Sequence, residues 1–133
     1  MLRSHAPGWS MARTGAILLI DDDRDVRAAN AIALEEAGYA VLQAPNWEQA
    51  LPLAGTDLAL VITDLIMPGG IEGFGRLRRQ IGPIPVVVLS GYPSMMKLLD
   101  GVLDGVVAWL RKPAAEPALL DAVARALAGP SSP

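Results

Sequence analysis

The chain reads as an α/β domain, a five-stranded parallel sheet doubly wound by helices on its two faces. Two observations predict it. Short runs of Val, Ile and Leu, apolar throughout, recur along the 133 residues, as strands buried on both faces require. Between them lie segments whose apolar residues return every three or four positions, the spacing of a helix with one buried side. Strict strand–helix alternation builds an open parallel sheet with helices on both faces.

The first strand is expected at Ile17–Ile20. Val26, Ala29, Ile32 or Ala33, and Ala37 then share one side of a helix, and Gly38 stands where a glycine just past the last turn would end it. Tyr39–Leu42 is the weakest strand. The helix after it, from about Trp47 to Ala54, is also poor: Asn46 suits its N-cap, but Pro52 breaks or kinks it. Leu58–Ile62 is the third strand, and the next helix turns Phe74, Leu77 and Ile81 inward. Val86–Leu89 is the fourth, followed by a helix with Met95, Leu98, Leu99 and Val102 on one side. Val106–Leu110 is the fifth. The last helix buries Leu120, Val123, Ala124 and Leu127, with Pro117 in its first turn. The domain spans 16–128 on this reading, and residues 1–15 and 129–133 are expected to be mobile tails.

Composition narrows the function. Hydrophobic residues make up 52% and charged residues 19%, enough for a buried core and too apolar for disorder. No apolar run approaches the roughly 18 residues of a membrane span, and the first 15 residues lack the apolar stretch of an export signal. No membrane partner is therefore expected. The absence of cysteine excludes disulfides and thiolate metal sites and is compatible with a cytoplasmic address. A net charge of −3 argues against nucleic acid as a direct partner, and Arg76, Arg78 and Arg79 read as a solvated helix face.

Ligands of such sheets bind at the carboxyl ends of the strands. There the first strand is followed by Asp21, Asp22 and Asp23, the third by Thr63 and Asp64, the fourth by Ser90 and Gly91, and the fifth by Lys112 and Pro113. Each has a plain reading alone: a helix cap, a turn, a Ser-Gly bend, a solvated lysine. Packing does not bring all of them to one edge. Clustered carboxylates repel, and a hard divalent cation resolves that repulsion. Oxygen ligands without His or Cys favour Mg²⁺. A carboxylate can attack phosphorus, and an ammonium, a hydroxyl and a metal ion can neutralise the phosphoryl oxygens. Asp64 is expected to be an exposed acid.

These residues resemble the receiver domain of two-component response regulators. The motifs are Ile17-Leu18-Leu19-Ile20-Asp21-Asp22-Asp23, Leu60-Val61-Ile62-Thr63-Asp64-Leu65-Ile66-Met67-Pro68-Gly69-Gly70, Val86-Val87-Val88-Leu89-Ser90-Gly91-Tyr92 and Trp109-Leu110-Arg111-Lys112-Pro113. The resemblance implies a flavodoxin-like fold with strand order 2-1-3-4-5. It implies that Asp64 is the phosphoacceptor, Ser90 the switch hydroxyl, Trp109 the switch aromatic and Lys112 the phosphate-pairing lysine, with a cis peptide bond to Pro113. Its Mg²⁺ would be held by Asp22 directly, by Asp21 mainly through water, by Asp64 and by the backbone carbonyl of Ile66. Ile66 and Tyr92 would flank the path of the hydrolytic water. Neither resembles a group that orients it, so slow dephosphorylation is expected.

The phosphoryl donor implied is a sensor histidine kinase or a histidine phosphotransfer protein. The output would be contact with a downstream protein or a second copy through Met95, Met96 and the last strand and helix. Such a chain is a switch rather than an enzyme, catalysing only its own phosphorylation and dephosphorylation. The loop after Asp64 departs from the family pattern, since Gly69-Gly70-Ile71 precede Glu72-Gly73 and make it one residue longer. Trp109 is larger than the usual aromatic. Two alternatives remain at this point. Asp21 and Asp23 have the Asp-x-Asp spacing of a haloacid-dehalogenase-type phosphatase, although the chain is short for one with a cap domain. A receiver-like interaction module that never takes phosphate is the other.

Overall fold

The computed structural model describes residues 15–92, 94, 99, 103 and 105–129. Five strands, β1 (Ala16–Ile20), β2 (Val41–Ala44), β3 (Leu58–Asp64), β4 (Val86–Ser90) and β5 (Val106–Arg111), form one parallel sheet in the order β2-β1-β3-β4-β5. Between and after them lie helices α1 (Arg24–Glu36), α2 (Trp47–Ala50), α3 (Gly70–Ile81) and α4 (Glu116–Ala128). This is the predicted doubly wound α/β sheet.

Alternation along the strands divides the core in two. Leu18, Ile20, Val86 and Val88 point to one face, where Trp47 of α2 and Phe74 and Leu77 of α3 cover them. Ile17, Leu19, Ile62 and Leu89 point to the other, under Leu34 of α1 and Leu119 and Val123 of α4. Asn46 caps α2 by accepting from Gln49 N at 2.8 Å. The helix passes after one turn into a 3₁₀ segment, Leu51–Gly55, with Pro52 in its first turn, where no ladder donor is needed.

Four details differ from the expectation. β2 starts at Val41 rather than Tyr39, because Tyr39 N still donates to Leu34 O and closes the end of α1, over a Gly38 with φ +104°. α1 buries Ala31, Ala33 and Leu34, leaving Ala29, Ala37 and Ile32 exposed. Arg27 turns inward on that side to reach Asp21 O, so a charged residue interrupts the apolar stripe and shifts its apparent centre. α4 likewise centres on Leu119, Val123 and Ala126, with Leu120 half-buried and Ala124 exposed. Finally, β5 is not buried on both faces. It is an edge strand, and Val107 is 55% exposed. Of the helix expected at Met95, Leu98, Leu99 and Val102, only Leu99 lies among the described residues, and it is buried in the first core.

Candidate functional site

The carboxyl ends of β1, β3, β4 and β5 meet at one edge of the sheet. Asp21, just past β1, is fully buried. Its amide donates to Ala44 O at 3.1 Å, its Oδ1 accepts from Asp23 N at 2.9 Å, and its carbonyl accepts from Arg27 Nη1 at 2.6 Å. Asp23 faces the other way. Its Oδ1 accepts from Asp25 N and Val26 N at 3.0 and 3.1 Å, so it is the N-cap of α1. The acid triplet therefore splits: Asp23 stabilises a helix, and Asp21 and Asp22 join Asp64. Carboxylate oxygens of these three lie within 4.8 Å of one another, with Asp22 exposed and the other two buried.

Asp64 ends β3 and is only 6% exposed, which corrects the expectation of an exposed acid. All seven residues of β3 are buried, so the strand delivers the carboxylate into a recess rather than onto the surface. Its Oδ1 accepts from Ile66 N at 2.8 Å. Its Oδ2 accepts from Lys112 Nζ at 2.9 Å, and the same ammonium lies 2.9 Å from Asp21 Oδ2. That second contact is a charge pair without hydrogen-bond alignment, so Asp21 Oδ2 is buried with no hydrogen-bond donor. Burial acts against the charge on Lys112, but the adjoining carboxylates of Asp21 and Asp64 together outweigh it and raise its pKa above the ordinary lysine value.

Backbone pairing sets the remaining groups in place. Lys112 N donates to Ser90 O at 2.8 Å, tying the end of β5 to the end of β4. The Lys112–Pro113 peptide bond is cis. Ser90 is buried, and its Oγ accepts from Tyr92 N at 3.1 Å, so the hydroxyl is engaged with its own turn. Trp109 pairs in register with Val88 and packs, half-buried, against the first core. Ile66 and Tyr92 are 38% and 58% exposed. Met95 and Met96 lie outside the described residues.

Two contributors escaped the sequence reading. Arg27 holds the Asp21 carbonyl, and its signal was an arginine on the inward side of α1. Trp47 packs beside the loop after Asp64, and its signal was the crowding of glycines at positions 69, 70 and 73.

Residues 17–124 match the family model described as the response regulator receiver domain. The chain belongs to this family. As a receiver domain of two-component response regulators it is a phosphoacceptor switch, and neither the phosphatase nor the phosphate-independent module is supported. The response regulator protein FleR of Pseudomonas aeruginosa is 35% identical over 112 residues, 82% of this chain and 24% of that protein. Among solved structures, the chemotaxis response regulator CheY4 of Vibrio cholerae is 30% identical with a TM-score of 0.75, covering 85% of the receiver and 99% of that chain. A response regulator from Burkholderia pseudomallei, solved with a phosphorylated aspartic acid, a calcium ion and citrate, is 30% identical with a TM-score of 0.71, covering 90% and 78%. The receiver spans about half or less of the length of the curated relatives it matches, several of them transcriptional regulators. Among the described residues, no helix is long and apolar enough to cross a membrane.

Proposed function

We propose that Asp64 is the phosphoacceptor, and that a histidine kinase or a histidine phosphotransfer protein is the donor. The observation that carries this is the shared ammonium: Lys112 Nζ stands 2.9 Å from carboxylates at the ends of two different strands. A carboxylate oxygen of Asp64 attacks the donor's phosphorus. The new P–O bond forms as the P–N bond to the donor imidazole breaks, and the imidazole leaves with the bonding pair. Ile66 N and Lys112 hold the two oxygens of Asp64 and so fix the direction of attack. Lys112 then passes from Asp64 Oδ2 to a phosphoryl oxygen. Ser90 leaves Tyr92 N to donate to another, and Trp109 follows from the same edge of the sheet.

The donor set fits Mg²⁺. Three carboxylates face one ammonium, every ligand is oxygen, and a buried oxygen of Asp21 lacks a hydrogen bond. Asp21, Asp22, Asp64 and the carbonyl of Ile66 would hold the ion, with much of its shell left to water. When bound, it supplies positive charge against the phosphoryl oxygens and the clustered acids. Ile66 and Tyr92 flank the acceptor with an aliphatic and a phenolic side chain, so attacking water is not oriented and the phosphorylated state is long-lived. The receiver acts in the cytoplasm as a switch rather than as an enzyme on other substrates, within a folded unit at 16–128. It signals through β5, α4 and the segment of Met95 and Met96 to a downstream protein or a second copy. The test is incubation with acetyl phosphate and Mg²⁺ followed by mass mapping. A phosphoryl group on Asp64 is the expected result, and one on Asp21 would overturn the assignment.

A further inference from the structure

Trp47 is the one described tryptophan that is buried, at 3% exposure, and its ring N–H has no hydrogen-bond acceptor. It belongs to α2, a helix of one turn, yet it reaches across to the loop that follows Asp64. A Cβ on Gly69 would stand 2.9 Å from Trp47 Cδ1. A Cβ on Gly73 would overlap the ring, nearest Cδ1, Nε1 and Cγ. The two glycines are needed for different reasons. Gly69 has φ +95°, a left-handed conformation that itself favours glycine. Gly73 lies in the first turns of α3, where its φ is not positive and alanine would be the better helix former. A side chain there would meet the indole of Trp47.

The segment wedged in this way holds the acceptor. Gly73 N donates to Gly69 O at 2.7 Å and Gly70 N to Met67 O at 2.9 Å, so the glycines and Met67 form one hydrogen-bonded turn. Leu65 and Met67 are buried in the same core as Trp47 and Phe74. Between them stands Ile66, whose amide donates to Asp64 Oδ1. The path from the indole to the reacting carboxylate is therefore packed throughout: Trp47 against Gly69 and Gly73, their turn against Met67, and Ile66 N on Asp64. A ring that is rigid at two torsions costs little conformational entropy to place there.

We infer that Trp47 is a positioning residue for phosphoryl transfer: docked against the bare backbone of Gly69 and Gly73, it sets the β3–α3 loop that orients Asp64 through the amide of Ile66. This rests on Asp64 being the acceptor, and the experiment separates the two. Three variants are compared with the parent: Trp47→Leu, Gly73→Ala, and both together. The first readout is hydrogen exchange at Ile66 N, referred to exchange at Leu60 N in the middle of β3, which follows global opening. The second is the rate of labelling by acetyl phosphate.

Each single variant should speed exchange at Ile66 by about tenfold relative to Leu60 and slow labelling by about tenfold. The double variant gives the alanine methyl room beside a smaller side chain, so both effects should shrink to within about threefold of the parent. A purely structural role would lower the melting temperature of the singles while leaving exchange at Ile66, relative to Leu60, and labelling of the folded protein unchanged; that result would overturn the inference. So would altered exchange without altered labelling in a parent that is labelled. If no protein in the set takes phosphate but Ile66 exchange follows the pattern, the loop brace stands and the acceptor assignment fails. Should Gly73→Ala not fold, Trp47→Leu, which only removes volume, decides by the same two readouts.

Discussion

β3 ends in one charged group of the site, Asp64, β5 leads directly into another, Lys112, and the two strands deliver them from opposite surroundings. β3 is flanked by β1 and β4, and all seven of its residues are buried. β5 pairs with β4 at the sheet edge, and none of its residues is fully buried: four are half-buried, and Val107 and Arg111 are exposed. Its register with β4 slips by one residue beside Val107, a bulge that twists an edge away from further pairing. The acid is thus held by a strand that cannot move without opening both cores. The lysine comes from a strand with solvent on one side. On the proposed roles this division is useful: the acceptor stays aligned, while the lysine that would pair with its phosphoryl charge sits where a shift can be read from outside.

The largest expected effect tests the fixed end. Asp64→Asn should reduce labelling by acetyl phosphate to background. Because the amide oxygen can still accept from Ile66 N, and one fewer negative charge among the clustered acids offsets the lost contact with Lys112, unfolding free energy should stay within about 1 kcal/mol of the parent. Intact-mass measurement and urea unfolding read the two halves. Next comes the movable end. Lys112→Ala should slow labelling by about a hundredfold, the usual scale for removing one preorganised donor. A rate within a few-fold of the parent would show that the ammonium does not follow the phosphoryl charge.

A pair of truncations addresses the contrast directly. Leu60→Ala in β3 leaves a cavity in a fully buried position and should cost about 3 kcal/mol. Val107→Ala in β5 should cost under about 0.5 kcal/mol and leave labelling unaltered. Similar costs at both positions in urea unfolding would remove the distinction between the strands. A smaller effect is expected at the mouth of the site. Ile66→Asn offers a water an amide partner, and Tyr92→Ala opens its approach. Loss of label from the purified phosphoprotein should quicken several-fold in at least one of them. Unchanged decay in both would show that these side chains do not gate hydrolysis.

The smallest effect is alkaline. The pKa of Lys112 is raised because Asp21 and Asp64 outweigh its burial, and that of Tyr39 is raised by burial. Both groups hold their proton more tightly folded than unfolded. The stability this contributes is whole below their usual values of 10.5 and 10.0 and is lost as pH rises through the folded ones. The urea midpoint should therefore hold to about pH 9 and fall above about pH 10, and Lys112→Met should flatten the fall. A midpoint that rises over this range would contradict the sign.

The sequence by itself determined the sheet and the chemistry at its edge. Apolar runs mark strands because a strand covered on both faces admits no polar residue, and the residue after each run lies at the same edge because the strands are parallel. That argument named Asp21, Asp22, Asp64, Ser90 and Lys112 without coordinates. It could not assign the members of Asp21-Asp22-Asp23, because capping and metal binding ask for the same side chain; only the direction in which α1 leaves the sheet turned Asp23 onto its amides. It placed the buried side of α1 wrongly because Arg27 faces inward for a carbonyl six residues earlier in the chain. It read β5 as fully buried because composition does not reveal which strand ends at an edge. The depth of Asp64 and the meeting of Trp47 with Gly73, 26 positions apart, were likewise decided by packing between elements. Periodicity reports a residue's neighbours along the chain, whereas burial of a terminal residue and the fit of a ring against a bare backbone depend on neighbours in space.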